Sequence, residues 1–159
     1  MIGLGNPILG DDAVGWKVVE LVEQQLQPPR HENQETFDIV YLSIGGLGLM
    51  EHLIDYDRAI IVDAVISIKD GPGTISAQML ETDNEATTVH TTSVHDTNLQ
   101  DAVKLAQKMG VQVPKSIIVV GIVTDANYTF SEMMTNQVAA AIPLAVEKVI
   151  ELLIKPCMV

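Results

Sequence analysis

The chain has 159 residues, of which 47% are hydrophobic, and this is enough for one ordinary domain with a proper core. Nine basic against 21 acidic residues give a formal net charge of -12, which disfavours binding to nucleic acid or to anionic lipid. No apolar run approaches the roughly 20 residues needed to cross a bilayer, and the start of the chain lacks a signal-peptide pattern. We therefore expect a single domain over residues 1–159 in a cytoplasmic protein that binds neither nucleic acid nor membrane.

The first predicted elements are a short strand and an amphipathic helix. Only Met1 and Ile2 precede a glycine-rich loop, so we expect a truncated first strand, either because the chain begins late or because the sheet tolerates a short strand. Apolar residues at helical spacing predict a helix over residues 12–26, capped by Asp11 or Asp12. The polar stretch that follows, residues 28–35, is predicted to be a surface loop.

Short β-branched runs and helical patterns alternate through the rest of the chain. Two of the runs are continuously apolar, which is typical of parallel strands covered by helices on both faces. The alternation predicts a three-layer α/β/α sandwich around a mostly parallel, twisted sheet of about five strands. The predicted later strands are Phe37 to Leu42, Ala59 to Val65, Thr74 to Leu80 and Ile117 to Val123.

Two further helices are predicted at particular positions. A glycine-rich turn at residues 43–48 leads into a helix through Leu49, Met50 and Leu53. The last helix is expected to begin at Ser131, whose hydroxyl can cap it, and to be kinked by Pro143.

The glycine-rich loop "GLGNP" permits more than one interpretation. Glycines let backbone amides approach an anion at a helix N-terminus, but the spacing here is neither G-x-G-x-x-G nor a P-loop. Asp11 and Asp12 also stand where a phosphate would bind, so nucleotide binding is disfavoured. The same five residues resemble the N-terminal motif of peptidyl-tRNA hydrolase. The tyrosine and histidine segments of that family do not follow, and the acidic charge suits a tRNA ligand badly.

A longer pattern, G-x-G-N-x(4)-D-D/E-x-x-G, gives a better match. Together with "AIIVDAV", which carries Asp63, and "TTSVHDTNLQDAV", which carries His95, it resembles the hydrogenase maturation endopeptidases. This family removes a C-terminal peptide from the large subunit of nickel-iron hydrogenases. The residues of this chain that fill the long pattern are Gly3, Gly5, Asn6, Asp11, Asp12 and Gly15.

Three polar residues of these stretches are the candidate site. Asp63 ends a predicted strand, Asp12 opens the first helix and His95 precedes a helix expected to begin near Thr97, so all three can meet at the carboxyl edge of the sheet. Two carboxylates and one imidazole suit a borderline divalent metal such as nickel or zinc. We take Asp12, Asp63 and His95 as both catalytic residues and metal ligands. His90 is the alternative to His95.

The remaining polar residues have simpler interpretations. In a simpler interpretation, Asp12 is a helix-capping or first-turn acid that binds no ligand. Asp63 likewise has a simpler interpretation, in which it pairs with a structural partner. Asn6 is expected to hold the loop through side-chain hydrogen bonds, while His31 and His52 are expected at the surface. The single cysteine, Cys157, lies near the end of the sequence and is not expected to act as a nucleophile or a ligand.

The resemblance implies an endopeptidase that acts on a hydrogenase large-subunit precursor. Nickel would be supplied by the precursor, with zinc or cadmium able to substitute, and water would be the nucleophile. A monomer is expected. Two other functions stay open, a nickel-dependent maturation module that binds without cutting and, less favoured, a peptidyl-tRNA hydrolase-like esterase. Ile44 and Leu47 replace polar positions of an Asp-Gly-Gly-Thr-like segment of the family, which puts precursor specificity in doubt.

Overall fold

The computed structural model describes residues 1–26, 37–80, 94–125 and 130–154, with only the backbone described over residues 94–98. These residues form five strands and four α-helices, and a 3-10 turn, Gly10–Ala13, leads into the first helix. The strands are β1 (Ile2–Leu4), β2 (Val40–Leu42), β3 (Arg58–Val65), β4 (Ile75–Met79) and β5 (Ser116–Val123). The helices are α1 (Val14–Leu26), α2 (Gly46–Glu51), α3 (Val94–Lys108) and α4 (Asn136–Ile154).

The strands pair into one sheet in the order β2-β1-β3-β5-β4. The pairs that join β2, β1, β3 and β5 are parallel, and β4 alone runs antiparallel along β5. The two long central strands, β3 and β5, are almost wholly buried, as their continuous apolar sequences require. The predicted mostly parallel sheet of about five strands is confirmed.

Helices cover both faces of this sheet and create two separate apolar layers. On one face, α1 and α4 pack over alternate residues of β3 and β5, such as Val62 and Val120. On the other face, α2 and α3 pack over Ile61 and Ile117. Because successive strand residues point to opposite faces, β3 supplies both layers. The predicted three-layer α/β/α sandwich is therefore confirmed.

Several element boundaries differ from those predicted. The last helix begins at Asn136, not at Ser131, because the Ser131 hydroxyl instead accepts a hydrogen bond from the nearby Met133 amide and forms a local turn. Pro143 lies inside α4. Strand β2 begins at Val40, not at Phe37. The predicted loop at residues 28–35 lies outside the described residues. Within the described ranges, no helix has the length and apolar character needed to cross a membrane.

Candidate functional site

The loop between β1 and α1 is shaped by glycines that touch other backbone atoms. Gly5 adopts a φ of 131°, and a Cβ built there would lie 1.8 Å from the carbonyl oxygen of Asp12. Any side chain at position 5 would therefore push away the turn that carries Asp12. The glycines serve this close approach within the protein, which supports the interpretation that the loop presents an acidic residue.

Gly15 fixes the start of α1 on the sheet. A Cβ at this position would lie 2.2 Å from the Leu4 carbonyl oxygen and 2.3 Å from the Val62 carbonyl oxygen. The helix backbone thus rests directly on β1 and β3, next to the peptide bond that joins Val62 to Asp63. Since Asp12 precedes Gly15 by three residues, it lies about one helical turn from that peptide bond.

Asp11 does not cap α1, so that prediction is wrong. The residue before the 3-10 turn is Leu9, and no side chain caps the turn. The buried Asp11 carboxylate instead accepts hydrogen bonds from the Thr135 amide at 2.7 Å and the Thr135 hydroxyl at 2.9 Å. A negative charge there also suits the N-terminal end of α4, which begins at the next residue. Asp11 therefore joins the loop to α4.

Asp12 is half-buried and faces back into the loop. Its Oδ2 accepts a hydrogen bond of 2.7 Å from the backbone amide of Asn6. The Oδ1 of Asn6 in turn accepts the Ile8 amide at 3.2 Å, so the expectation that the Asn6 side chain holds the loop is confirmed. These bonds orient one oxygen of the Asp12 carboxylate. The other carboxylate oxygen of Asp12 makes no hydrogen bond to the described residues, so this oxygen can bind a ligand.

Asp63 lies within β3 and is only 1% exposed. The strand continues for two residues beyond it, so Asp63 does not end the strand as predicted. Ile61 belongs to the layer under α2 and α3, and strand alternation directs the Asp63 side chain to the same face. Asp63 pairs with Gly121 of β5 and is level with Leu4, the last residue of β1.

His95 is the second residue of α3, which begins three residues before the predicted Thr97. The segments that follow α2 and α3 meet at the amino edge of the sheet, where the Lys115 amide bonds to the Asp57 carbonyl oxygen. Helix α3 therefore ends at the amino edge and begins at the carboxyl edge. The backbone of His95 thus lies at the edge of the sheet to which β1 and the Asp12 loop lead.

The Asp12 turn, Asp63 and the backbone of His95 thus lie towards the same edge of the sheet, and the assignment of these three residues as a metal and catalytic site stays a prediction. The side chain of His95 lies outside the described part of the chain, as do His90, His31 and Cys157. Across the side chains that are described, no group of three or more His, Cys, Asp or Glu is positioned to hold a metal ion. His52 is exposed, in agreement with its predicted surface position.

Sequence reasoning missed residues far along the chain that hydrogen-bond to the loop at this edge. Ser131 bonds through its backbone to Ile8 and Gly10, and Thr135 bonds to Asp11. These contacts join the loop to a segment more than a hundred positions later in the chain. The sequence contains no signal that identifies Thr135 as the partner of Asp11.

A mostly parallel sheet with acidic residues at its carboxyl edge is the architecture of α/β enzymes that bind their ligands at that edge. The family model described as hydrogenase maturation protease (HycI) matches residues 16–152. The chain belongs to the hydrogenase maturation protease family, and it is a peptidase.

Individual relatives agree with this assignment. The Hydrogenase 2 maturation protease of Escherichia coli (strain K12) is 29% identical over 128 residues, which cover 79% of this chain and 73% of that protein. The solved structure of the hydrogenase maturating endopeptidase HybD from E. coli has 27% identity and a TM-score of 0.69, over 96% of this chain and 89% of the other. The [NiFe] hydrogenase maturation protease HybD from Thermococcus kodakarensis shares the fold, with 23% identity, a TM-score of 0.67 and 95% of each chain covered.

Proposed function

We propose that this peptidase removes the C-terminal extension from the nickel-loaded large-subunit precursor of a nickel-iron hydrogenase. The observation that carries the proposal is the Asp63 carboxylate, which is almost fully buried in the sheet of a hydrogenase maturation protease, beside the turn that presents Asp12. A carboxylate in such a position is costly unless cations or hydrogen-bond donors stabilise its charge. A metal ion carried by the precursor would interact favourably with this charge during docking, in addition to the groups that already stabilise it.

The three proposed ligands fit such an ion chemically. Two carboxylates and one imidazole match the preferences of nickel and also those of zinc or cadmium, and they leave coordination positions for the precursor's own groups. A bound ion of this kind polarises a carbonyl group or lowers the pKa of a water molecule. The chain's own contribution is to orient the Asp12 carboxylate through the Asn6 amide and to keep Asp63 away from bulk water.

Substitution of Asp63 tests this proposal. Asp63→Asn keeps the volume of the side chain but removes its charge, and we expect processing of a nickel-loaded precursor to fall at least about a hundredfold. Mass spectrometry of the precursor measures the loss of the short C-terminal peptide. Circular dichroism checks that the variant is folded, and Asp101→Asn, at an exposed position of α3, is the matched control with normal processing.

His95→Gln and His90→Gln separate the two candidate histidines by the same assay. We expect loss of processing for His95→Gln and normal processing for His90→Gln. Normal processing by Asp63→Asn would contradict the proposed site. Stable binding of the loaded precursor by the unmodified chain, without release of a peptide, would instead identify a recognition module that does not cut.

A further inference from the structure

A groove runs along α1 on the side where the 130–142 segment approaches it. It has a volume of about 860 Å³. Ala13 and Glu23 both line it, and Glu23 follows Ala13 by ten positions along the 3-10 turn and α1, so the groove extends for about 15 Å. That length accommodates about five residues of extended peptide. One end of the groove, at Pro7 and Ala13, adjoins the turn that carries Asp12.

The other end of the groove combines two aromatic rings with acidic side chains. The rings of Trp16 and Tyr41 lie 5.5 Å apart at an angle of 57°. The Tyr41 hydroxyl donates a hydrogen bond of 2.8 Å to Glu23, and burial, followed by this bond, raises the pKa of Tyr41 to about 12. Tyr41 is therefore neutral at physiological pH and orients the Glu23 carboxylate. Aromatic faces beside a carboxylate attract an ammonium or guanidinium group.

The charge of the whole groove agrees with this preference. Three glutamates and one lysine line it, so its formal charge is -2. The lysine, Lys17, is already paired with Glu20 at 2.6 Å. Glu23 and Glu132 are left as the uncompensated charges, and the protein as a whole carries -12. The groove would therefore attract a cationic partner more strongly than an acidic partner.

Apolar side chains also line the groove. Met133, Met134 and Ile142 line it, and Met133 is 81% exposed. Phe130 is 86% exposed, and it precedes Ser131, whose amide bonds to the Ile8 carbonyl oxygen. Exposed methionine side chains that line a groove, with an exposed phenylalanine nearby in the same segment, are typical of a surface that binds another polypeptide.

We propose that this groove binds an extended segment of the hydrogenase precursor that carries a lysine or arginine among apolar residues. The cation lies against Trp16 and Tyr41 beside Glu23, and the apolar side chains contact Met133 and Ile142. The identity of the partner rests on the proposed function, whereas the chemistry of the segment rests on the groove. The groove thus selects precursors by a short sequence feature, separately from the metal.

Trp16 is the only tryptophan of the chain, so its fluorescence reports directly on the groove. The probes are three blocked pentapeptides, Ala-Leu-X-Leu-Ala, in which X is Arg, Gln or Glu. We expect the Arg peptide to change Trp16 emission and to bind roughly five- to tenfold more tightly than the Gln peptide, with the Glu peptide weakest. Equal binding of the Arg and Gln peptides would overturn the proposal.

Glu23→Gln removes the charge but keeps an oxygen that accepts the Tyr41 hydrogen bond. We expect it to abolish the preference for Arg over Gln, whereas Glu147→Gln, an exposed glutamate of α4 away from the groove, retains it. Met133→Ser should weaken the binding of all three peptides to the same extent. If Glu147→Gln lost the preference for the Arg peptide to the same extent, the preference would come from the net charge of the protein. That result would contradict the proposed binding in the groove. Emission that depends on protein concentration without peptide would assign the groove to a second copy of the chain.

A processing assay separates this inference from the proposed function. Glu23→Gln should raise KM for the nickel-loaded precursor and leave kcat unchanged, because it removes binding and not chemistry. Asp63→Asn should retain the full response of Trp16 to the Arg peptide although its processing of the precursor falls at least about a hundredfold. Absence of processing by the unmodified chain, together with selective binding of the Arg peptide, would refute the proposed function and leave the peptide site intact.

Discussion

Two glycine-rich segments of this molecule have opposite physical roles. Gly15 is the second residue of α1, and a Cβ there would collide with carbonyl oxygens of two strands. Gly48 lies in α2 within the segment 45–48, and a Cβ there would meet only the Ile44 side chain, whose flexible end is nearest at 3.3 Å. Both glycines are helical, yet only the first is required by packing. Glycine in a helix therefore indicates a close backbone contact only where that helix lies directly on the sheet.

The largest expected effect is that of Gly15→Ala. The added methyl group overlaps two backbone oxygens that cannot move without distorting β1 and β3, so we expect a loss of more than about 4 kcal/mol in the free energy of unfolding. Denaturant unfolding followed by circular dichroism measures it. A loss below about 1 kcal/mol would show that α1 can move away from the sheet, and the contrast with Gly48 would disappear.

Asp11→Ala should have an intermediate effect. It removes both hydrogen bonds to Thr135 and leaves a backbone amide without its acceptor, which costs about 1–3 kcal/mol in the free energy of unfolding. Asp11→Asn is the matched control, because the Thr135 hydroxyl can reverse its role and accept from the new amide. Thermal unfolding should therefore place Asp11→Asn near the unmodified protein. Equal losses in both variants would mean that the charge, and not the hydrogen bonds, stabilises this contact.

The smallest effect, with the opposite sign, is expected for Gly48→Ala. Alanine favours the helical state, and Ile44 is exposed enough to give way, so the free energy of unfolding should rise by about 0.5–1 kcal/mol. The same denaturant titration measures this increase. Destabilisation by Gly48→Ala would indicate that this segment is packed as tightly as the first, and the distinction between the two segments would fail.

The sequence was sufficient to predict the sheet because its signals are local. Continuous β-branched runs located β3 and β5 almost to the residue, and their lack of alternation indicated helices on both faces. The start of α4 was wrong because Ser131 makes a local turn that a hydroxyl at a helix start resembles. The cap assigned to Asp11 was wrong because its partner, Thr135, lies far along the chain.

The candidate site and the groove differ in the same way: local features can be predicted from sequence, whereas contacts between distant segments cannot. Asp63 was identified from the family resemblance of "AIIVDAV" and from its position as an acid within an apolar strand, and its burial agrees with that position. The groove was not predicted, because its walls come from the loop before α1, from α1 and β2, and from α4 and the segment before it. No sequence window contains them together. Sequence periodicity reports which face of an element is buried, but it does not report which elements leave a gap between them.

The hydrogen bonds between Asp11 and Thr135 also determine when parts of the fold can form during synthesis of the chain. They join residues 124 positions apart, so they cannot form until the start of α4 has left the ribosome. Strand β1 likewise lies between β2 and β3, and it obtains its second neighbour only after residue 58 has been made. The turn that carries Asp12 is therefore made early but is joined to α4 only after residue 135 has been made. Until then, a nascent chain cannot hold this turn against α4.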